Sequence, residues 1–158
     1  MMGRAKEKAE SLSKDRLRLW LRLLKLTSGI EADLRRNLRE VHDTTLPRFD
    51  VMAALARHPE GLRMSDLSSY LRVSNGNITG IVDRLTEEGL ALRVAVPGDR
   101  RAQTARLTAR GREVFDRMAA DHEAWIDAAL GALDPAEIAT MARLAKRAQS
   151  REDGNEHP

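Results

Sequence analysis

Met64-Ser65-Asp66-Leu67-Ser68-Ser69-Tyr70-Leu71-Arg72-Val73-Ser74-Asn75-Gly76-Asn77-Ile78-Thr79-Gly80-Ile81-Val82-Asp83-Arg84-Leu85 is the stretch that decides the fold. Met64 to Leu71 reads as a short helix, Arg72-Val73-Ser74 as a tight turn, and Asn75 to Leu85 as a second helix stopping at Gly89. Ile78, Ile81, Val82 and Leu85 of the second helix recur at three- and four-residue spacing, the pattern of a packed face. Its outward set, Asn75, Gly76, Asn77, Thr79, Gly80 and Arg84, breaks ordinary helix rules. An interior Gly costs a helix about 1 kcal/mol relative to Ala, and Asn and Thr are weak helix formers. A merely solvated face favours Glu, Lys, Gln or Ala. Small residues let a backbone approach a groove closely, and amide side chains bond base edges, Asn to adenine in particular. The other reading is a helix N-terminus capped by Ser74, with glycines tolerated for packing.

Beyond Gly89, Leu90, Leu92, Val94 and Val96 alternate with Ala91, Arg93 and Ala95, the period of a half-buried strand. Pro97-Gly98-Asp99 is a turn signal, and a return strand follows from about Thr104 to Leu107. Arg100 and Arg101 therefore project from a hairpin tip, where a planar guanidinium enters a narrow minor groove or clamps phosphate. Helix-turn-helix plus a basic hairpin is a shape for gripping duplex DNA.

With these residues in hand, the sequence resembles the MarR family of winged-helix regulators. The resemblance is carried by Leu67, Val73-Ser74, Thr79, Val82-Asp83-Arg84-Leu85, Gly89-Leu90, Asp99-Arg100-Arg101 and Leu107-Thr108, and it spans roughly Leu17 to Gln149. One departure is Arg63, where many relatives place a Thr or Ser cap on the first helix of the motif. The resemblance implies a mainly α fold with a small β-hairpin wing. It also implies a homodimer on a near-palindromic operator, released by a small ligand. DNA contacts are expected from Ser74, Asn75, Gly76, Asn77, Thr79, Gly80 and Arg84, and from Arg100 and Arg101 held in place by Asp99.

Composition agrees. The chain has 158 residues, one domain's worth. Its 27 basic and 24 acidic residues leave a net charge of +3, so basic character must be local. Aromatics make up 3%, which argues against a stacking platform for single-stranded nucleic acid. No apolar run is long enough to span a membrane, and the start, Met1-Met2-Gly3-Arg4-Ala5-Lys6, lacks the apolar segment of a signal peptide, so a cytoplasmic location is expected. Zero cysteines remove disulfides and thiolate metal sites.

The remainder reads as helix. Residues 1–12 are expected to form a disordered arm and 151–158 a disordered tail. Residues 13–150 are expected to form a single domain, with the winged helix-turn-helix at about 46–108 and dimerisation helices at about 13–42 and 108–150. A helix starts near Pro47 with Phe49, Met52, Ala53 and Leu55 inward, and stops at His58-Pro59-Glu60-Gly61. Thr108 is the expected N-cap of a long helix, and Asp134-Pro135-Ala136-Glu137 reads as a capping box. Leu17, Trp20, Leu21, Leu24, Trp125, Leu130, Ile138, Met141 and Leu144 are the candidate dimer interface. A two-fold axis would set two recognition helices roughly 34 Å apart, one DNA turn.

By resemblance, an effector is expected where the first, second and fifth helices meet. Ile30, Leu34, His42, Phe49, Met52, Met118 and His122 are its candidate lining, with Arg35, Arg36, Arg39 and Arg48 beside it. Arginines near an apolar pocket suit a carboxylate or the phosphates of a coenzyme A thioester. Thr44 to Asp50, with the Gly76-Asn77-x-Thr79-Gly80 helix, looks like the branch controlling hydroxycinnamate and aromatic-acid catabolism, so the expected effector is an aromatic acid or its acyl-CoA. Arg35, Arg36 and Arg39 also read as a solvated face beside Glu31 and Glu40. The four histidines, His42, His58, His122 and His157, lack metal-ligand spacing, and neither a cofactor nor a metal is expected. No phosphate loop, nucleophile elbow or cysteine nucleophile is present, which argues against an enzyme. The alternative function is a winged-helix protein-interaction adaptor without specific DNA binding.

Overall fold

The computed structural model describes residues 2–71 and 75–150, with the side chains of 2–7, 75, 76, 100 and 101 excepted. Arg72-Val73-Ser74 and the tail from Arg151 lie outside the described residues. The elements run α1 (Met2–His42), α2 (Leu46–Arg57), β1 (Leu62–Arg63), α3 (Met64–Leu71), α4 (Asn75–Glu87), β2 (Ala91–Val96), β3 (Asp99–Leu107), α5 (Ala109–Ala129) and α6 (Pro135–Gln149). This is the expected mainly helical fold with a small antiparallel sheet. The chain divides into two units, Met1–Glu123 and Ala124–Pro158.

α1 begins at Met2, not near Ser13, which corrects the disordered arm expected over 1–12. Ala, Arg, Lys and Glu dominate residues 2–12, all strong helix formers. Lys14 and Glu10, one turn apart, pair at 3.5 Å and carry the helix onward.

α2 is the centre of the first unit. Thr45 caps it, its hydroxyl accepting from the Arg48 backbone N–H, and Pro47 sits in the first turn, where a missing N–H costs nothing. Leu46, Phe49, Val51, Met52, Ala54 and Leu55 are all buried. Burial therefore extends beyond the single inward stripe expected from Phe49, Met52, Ala53 and Leu55, because α2 meets α1, α3, α4 and β3 at once.

α4 ends as its sequence predicts. Gly89 takes φ +72°, the Leu90 N–H bonds the Leu85 carbonyl and the Gly89 N–H bonds that of Thr86, a Schellman motif. Thr108 caps α5, its Oγ1 accepting from the Gly111 N–H at 2.9 Å and donating to the Gly89 carbonyl at 2.7 Å. The start of α5 is thereby tied to the end of α4. Asp134 and Glu137 form the expected reciprocal capping box on α6.

The sheet has three strands in the order β1-β3-β2, one more than the hairpin expected. Leu62 and Arg63 pair with Ala105 and Thr104, so Arg63 is a strand residue and not a helix cap. β3 starts at Asp99 instead of near Thr104, with an irregularity between Ala95 and Val96. The alternation along β2 holds from Ala91 to Val94 and breaks at Ala95, where the register shifts, and over those four residues the faces are opposite to what hydrophobicity implies. Ala91 is fully buried and Arg93 half-buried, whereas Leu92 and Val94 are exposed. Ala105, opposite Arg93 and itself fully buried, leaves the inner face flat enough for close packing.

Two predictions concern this packing. A Cβ on Gly111 would lie 1.9 Å from the Leu90 carbonyl oxygen, backbone against backbone. Gly111→Ala is expected to cost about 1–3 kcal/mol, as overpacking does, and to lower the thermal midpoint by several degrees. An unchanged midpoint contradicts the α4–α5 tie. The second concerns His122, which stacks on Phe49 with ring centroids 4.5 Å apart. Burial lowers its pKa below the ordinary 6.5, against a smaller upward pull from Asp50. Asp50 is itself raised, by burial first. A lowered histidine pKa contributes stability above 6.5 that is lost as pH falls toward the folded value, while the raised Asp50 acts in the opposite sense at lower pH. Thermal midpoints are expected to fall between about pH 7.5 and 5.5 and to fall less in His122→Gln. Parallel profiles would remove His122 as the titrating group.

Candidate nucleic-acid interface

The outer face of α4 is built by its inner one. Ile78, Val82 and Leu85 are at most 1% exposed, and their burial fixes the helix's rotation so that Asn77, Thr79, Gly80, Asp83 and Arg84 all face solvent. The backbone of Asn75 and Gly76 opens the helix, and Ser74 lies outside the described residues. A Cβ on Gly80 would meet nothing within 4 Å. The glycine therefore relieves no crowding within the chain, and the packing explanation fails at this position.

Arg100 and Arg101 are early residues of β3, next to Asp99 and the turn at Gly98, which has φ +84°. Their side chains are outside the described set. The residue that joins wing to helix is Arg93. Its Nη2 lies 2.8 Å from the Asp83 carboxylate on α4 and donates a long 3.5 Å bond to the Thr79 carbonyl. Its Nη1 donates to Gln103 Oε1 on β3 at 3.2 Å. The buried Nε–H finds no partner among the described residues. Sequence reasoning missed Arg93 as a functional residue. The available signal was a charged residue in the middle of a strand whose neighbours Leu92 and Val94 are apolar.

The effector candidates do not converge on one place. Leu34, Phe49, Met52 and Met118 are core residues, and Ile30 is half-buried. Phe49 is occupied by His122 on one side and by Phe115, 5.6 Å away between centroids, on another. Arg35 and Arg36 are exposed and pair within α1, with Glu31 at 3.4 Å and Asp33 at 2.7 Å, and Arg39 is exposed. His42 Nε2 lies 2.8 Å from Asp121 of α5.

Two cavities separate these groups. The larger, about 440 Å³, is lined by the end of α1, the start of α2, the end of α4 and the first half of α5. His42, Arg48, Met52 and Met118 from the expected set line it, joined by Arg84 of α4 and Glu88 just past its end. Arg48 makes a two-point ion pair with Glu88, Nη1 to Oε1 at 2.9 Å and Nη2 to Oε2, and this holds the Glu88 carboxyl below its ordinary range. Thr44, also lining the cavity, is buried, and its hydroxyl has no partner among the described residues. The smaller cavity, about 190 Å³, includes Arg35, Asp50 and Glu31 between α1, α2, α3 and α4. No group of His, Asp and Glu among the described residues could hold a metal ion.

Of the candidate interface residues in the first unit, Leu17, Trp20, Leu21 and Leu24 are all exposed, as are Leu12, Leu19, Leu23 and Leu26 beside them. In the second unit Ile138, Met141 and Leu144 are exposed, while Trp125 and Leu130 are half-buried. No described helix is long and apolar enough to cross a membrane.

Comparison with known proteins fits this geometry. A sequence model of the MarR family matches residues 42–102, which run from the end of α1 through the wing tip. The chain is similar to a MarR family transcriptional regulator from Silicibacter pomeroyi, with 30% identity and a TM-score of 0.74 over 89% of this chain and 96% of that one. It is also similar to Sco3205 from Streptomyces coelicolor, a MarR family regulator solved in complex with DNA: 25% identity, TM-score 0.74, covering 83% and 86% of the two chains. A third structure is the PcaV transcriptional regulator of the same organism, solved with its natural ligand, at 26% identity and a TM-score of 0.64 over 84% and 89%. With a match of 30% identity across nearly the whole of both chains, this protein belongs to the MarR family of DNA-binding transcriptional regulators.

Proposed function

We propose that the protein is a cytoplasmic homodimeric repressor that binds a near-palindromic operator and is released by a small carboxylate effector. The observation that carries the DNA-reading part is the outer face of α4. Asn77 and Thr79 are exposed there, and Gly80 leaves open space where any other residue would stand between the helix backbone and a groove. The wing arginines Arg100 and Arg101 are assigned to the adjacent minor groove or phosphates. Dimerisation is supported by the exposed apolar sets on α1 and on α6, since apolar faces of this size without cover mark association surfaces.

The effector is assigned to the 440 Å³ cavity, a volume within the usual range for small-ligand sites and suited to a monocyclic aromatic acid. Met52, Leu90, Val114 and Met118 supply its apolar lining and Arg48 and Arg84 its cationic groups. Of a coenzyme A thioester, such a cavity would take the acyl group and leave the nucleotide outside. The cavity's wall includes the end of α4, so a ligand that fits only one setting of that helix shifts its equilibrium. Release requires tighter ligand binding to the DNA-incompetent state.

Two experiments test this reading. Gly80→Ala is expected to stabilise the protein by about 0.5–1 kcal/mol, through lower chain entropy in the unfolded state, while weakening operator binding at least about tenfold. Asn77→Ala is expected to lose discrimination of about 1–3 kcal/mol at one base pair. A Gly80→Ala protein that is more stable and binds a library-selected operator unchanged would sink the close-approach assignment, whereas an unaltered protein that selects no duplex from the library would favour the adaptor. A thermal-shift series with aromatic acids and their thioesters addresses the cavity, because a ligand of the folded state raises stability by RT ln(1 + [L]/Kd). A shift that disappears in Arg48→Ala is the expected result. A shift indifferent to Arg48 would move the effector elsewhere.

A further inference from the structure

We propose that Arg93 is a positioning residue for DNA recognition, a guanidinium that sets the angle between the recognition helix and the wing. The inference rests on α4 and the wing both meeting DNA.

Three acceptors on two elements converge on this side chain: the Asp83 carboxylate and the Thr79 carbonyl on α4, and Gln103 Oε1 on β3, with Arg93 itself on β2. Asp83 and Thr79 lie one turn apart on α4 and both meet Nη2, while Nη1 reaches Gln103 on β3, so the two arms of the fork span helix and strand. Only a planar guanidinium presents donors in this rigid arrangement; an ammonium supplies the same charge without the fixed fork. Burial of Nε–H without a partner is unfavourable, and its acceptance here is explained by the geometry the rest of the group enforces. The side chain is 25% exposed, its Nη2 is paired with Asp83 and its Nη1 is bonded to Gln103, which leaves little of it to offer to phosphate. Thr79 is also one of the outward residues of α4, so Arg93 holds the backbone of a residue whose side chain is aimed at the groove.

The consequence is geometric. A helix in the major groove and a hairpin in the neighbouring groove must keep a fixed separation to engage together. Arg93 is a polar tie between α4 and both wing strands.

The test compares Arg93→Gln, Arg93→Lys, Asp83→Asn and the Arg93→Gln/Asp83→Asn pair with the unaltered protein. The probe is a duplex that the unaltered protein selects from a random-sequence library, with affinity followed across a salt series. Both Arg93 variants are expected to lose roughly tenfold or more in affinity while the slope of log affinity against log salt stays unchanged, because no phosphate contact is removed. The double variant should bind no more weakly than the weaker single one, since both break the same tie. Full affinity in Arg93→Lys, a slope reduced by about one in Arg93→Gln, or additive losses in the pair would each overturn the proposal. Asp83→Asn changes an exposed helix position and Arg93→Lys keeps the charge and the stem, so these two report even if Arg93→Gln folds poorly. Arg101→Ala separates the underlying reading. If it leaves both affinity and slope untouched, the wing does not meet DNA, whatever Arg93 does.

Discussion

The burial of α2 on nearly every side is the constraint on which the rest of the first unit depends. Val51, Met52, Ala54 and Leu55 are at most 1% exposed, and the helix touches α1, α3, α4 and β3 together. Interiors at crystal-like density transmit displacement instead of absorbing it. A shift at the start of α2, where Thr45 caps the helix and Arg48 reaches Glu88, is therefore felt at the end of α4. The same helix that fills the core also forms part of the wall of the larger cavity, through Thr45, Arg48 and Met52. In the proposed reading, stability and regulation are drawn from one element.

Much of this was legible in the sequence wherever the controlling chemistry is local. Gly89 ends α4 because only a residue tolerant of positive φ closes a Schellman motif, and Thr108 and Asp134 cap because their side chains reach N–H groups three residues on. The division of α4 into an apolar and a polar face follows from spacing alone. Legibility ended where distant segments decide. A strand of two residues, Leu62–Arg63, carries no periodicity of its own and exists because β3 offers it an edge. In β2 the alternation is visible, yet which face is buried depends on Ala105 and Asp83 across space, and there Arg93 displaced the more apolar Leu92 and Val94. The effector candidates were gathered by resemblance onto one lining, whereas Phe49 and His122 fill one another's space and His42, Arg48, Met52 and Met118 line the larger cavity.

Charge in this protein works by placement. Many of the arginines are matched within a turn or across a single gap: Arg18 with Asp15, Arg35 with Glu31, Arg36 with Asp33, Arg48 with Glu88, Arg93 with Asp83. Exposed pairs within one helix contribute little to stability, but they remove the uniform positive field that would draw nucleic acid to the whole surface. The net charge of +3 is thus compatible with the proposed confinement of DNA contact to α4 and the wing.

α1 is 41 residues long, about 60 Å at the rise of an α-helix. Among the described residues, it is anchored in the core of the first unit only near one end, through Leu34 and Leu38. The leucines and Trp20 between Leu12 and Leu26 lie some turns away from that anchor and are exposed along the whole stretch. In the proposed dimer these residues would be covered only when a second chain arrives, so association would add burial energy to a helix that local propensity already forms. Abundance would then become an input in its own right: a scarce protein would be short of its partner, and a gene under the proposed control would respond to dosage as well as to effector.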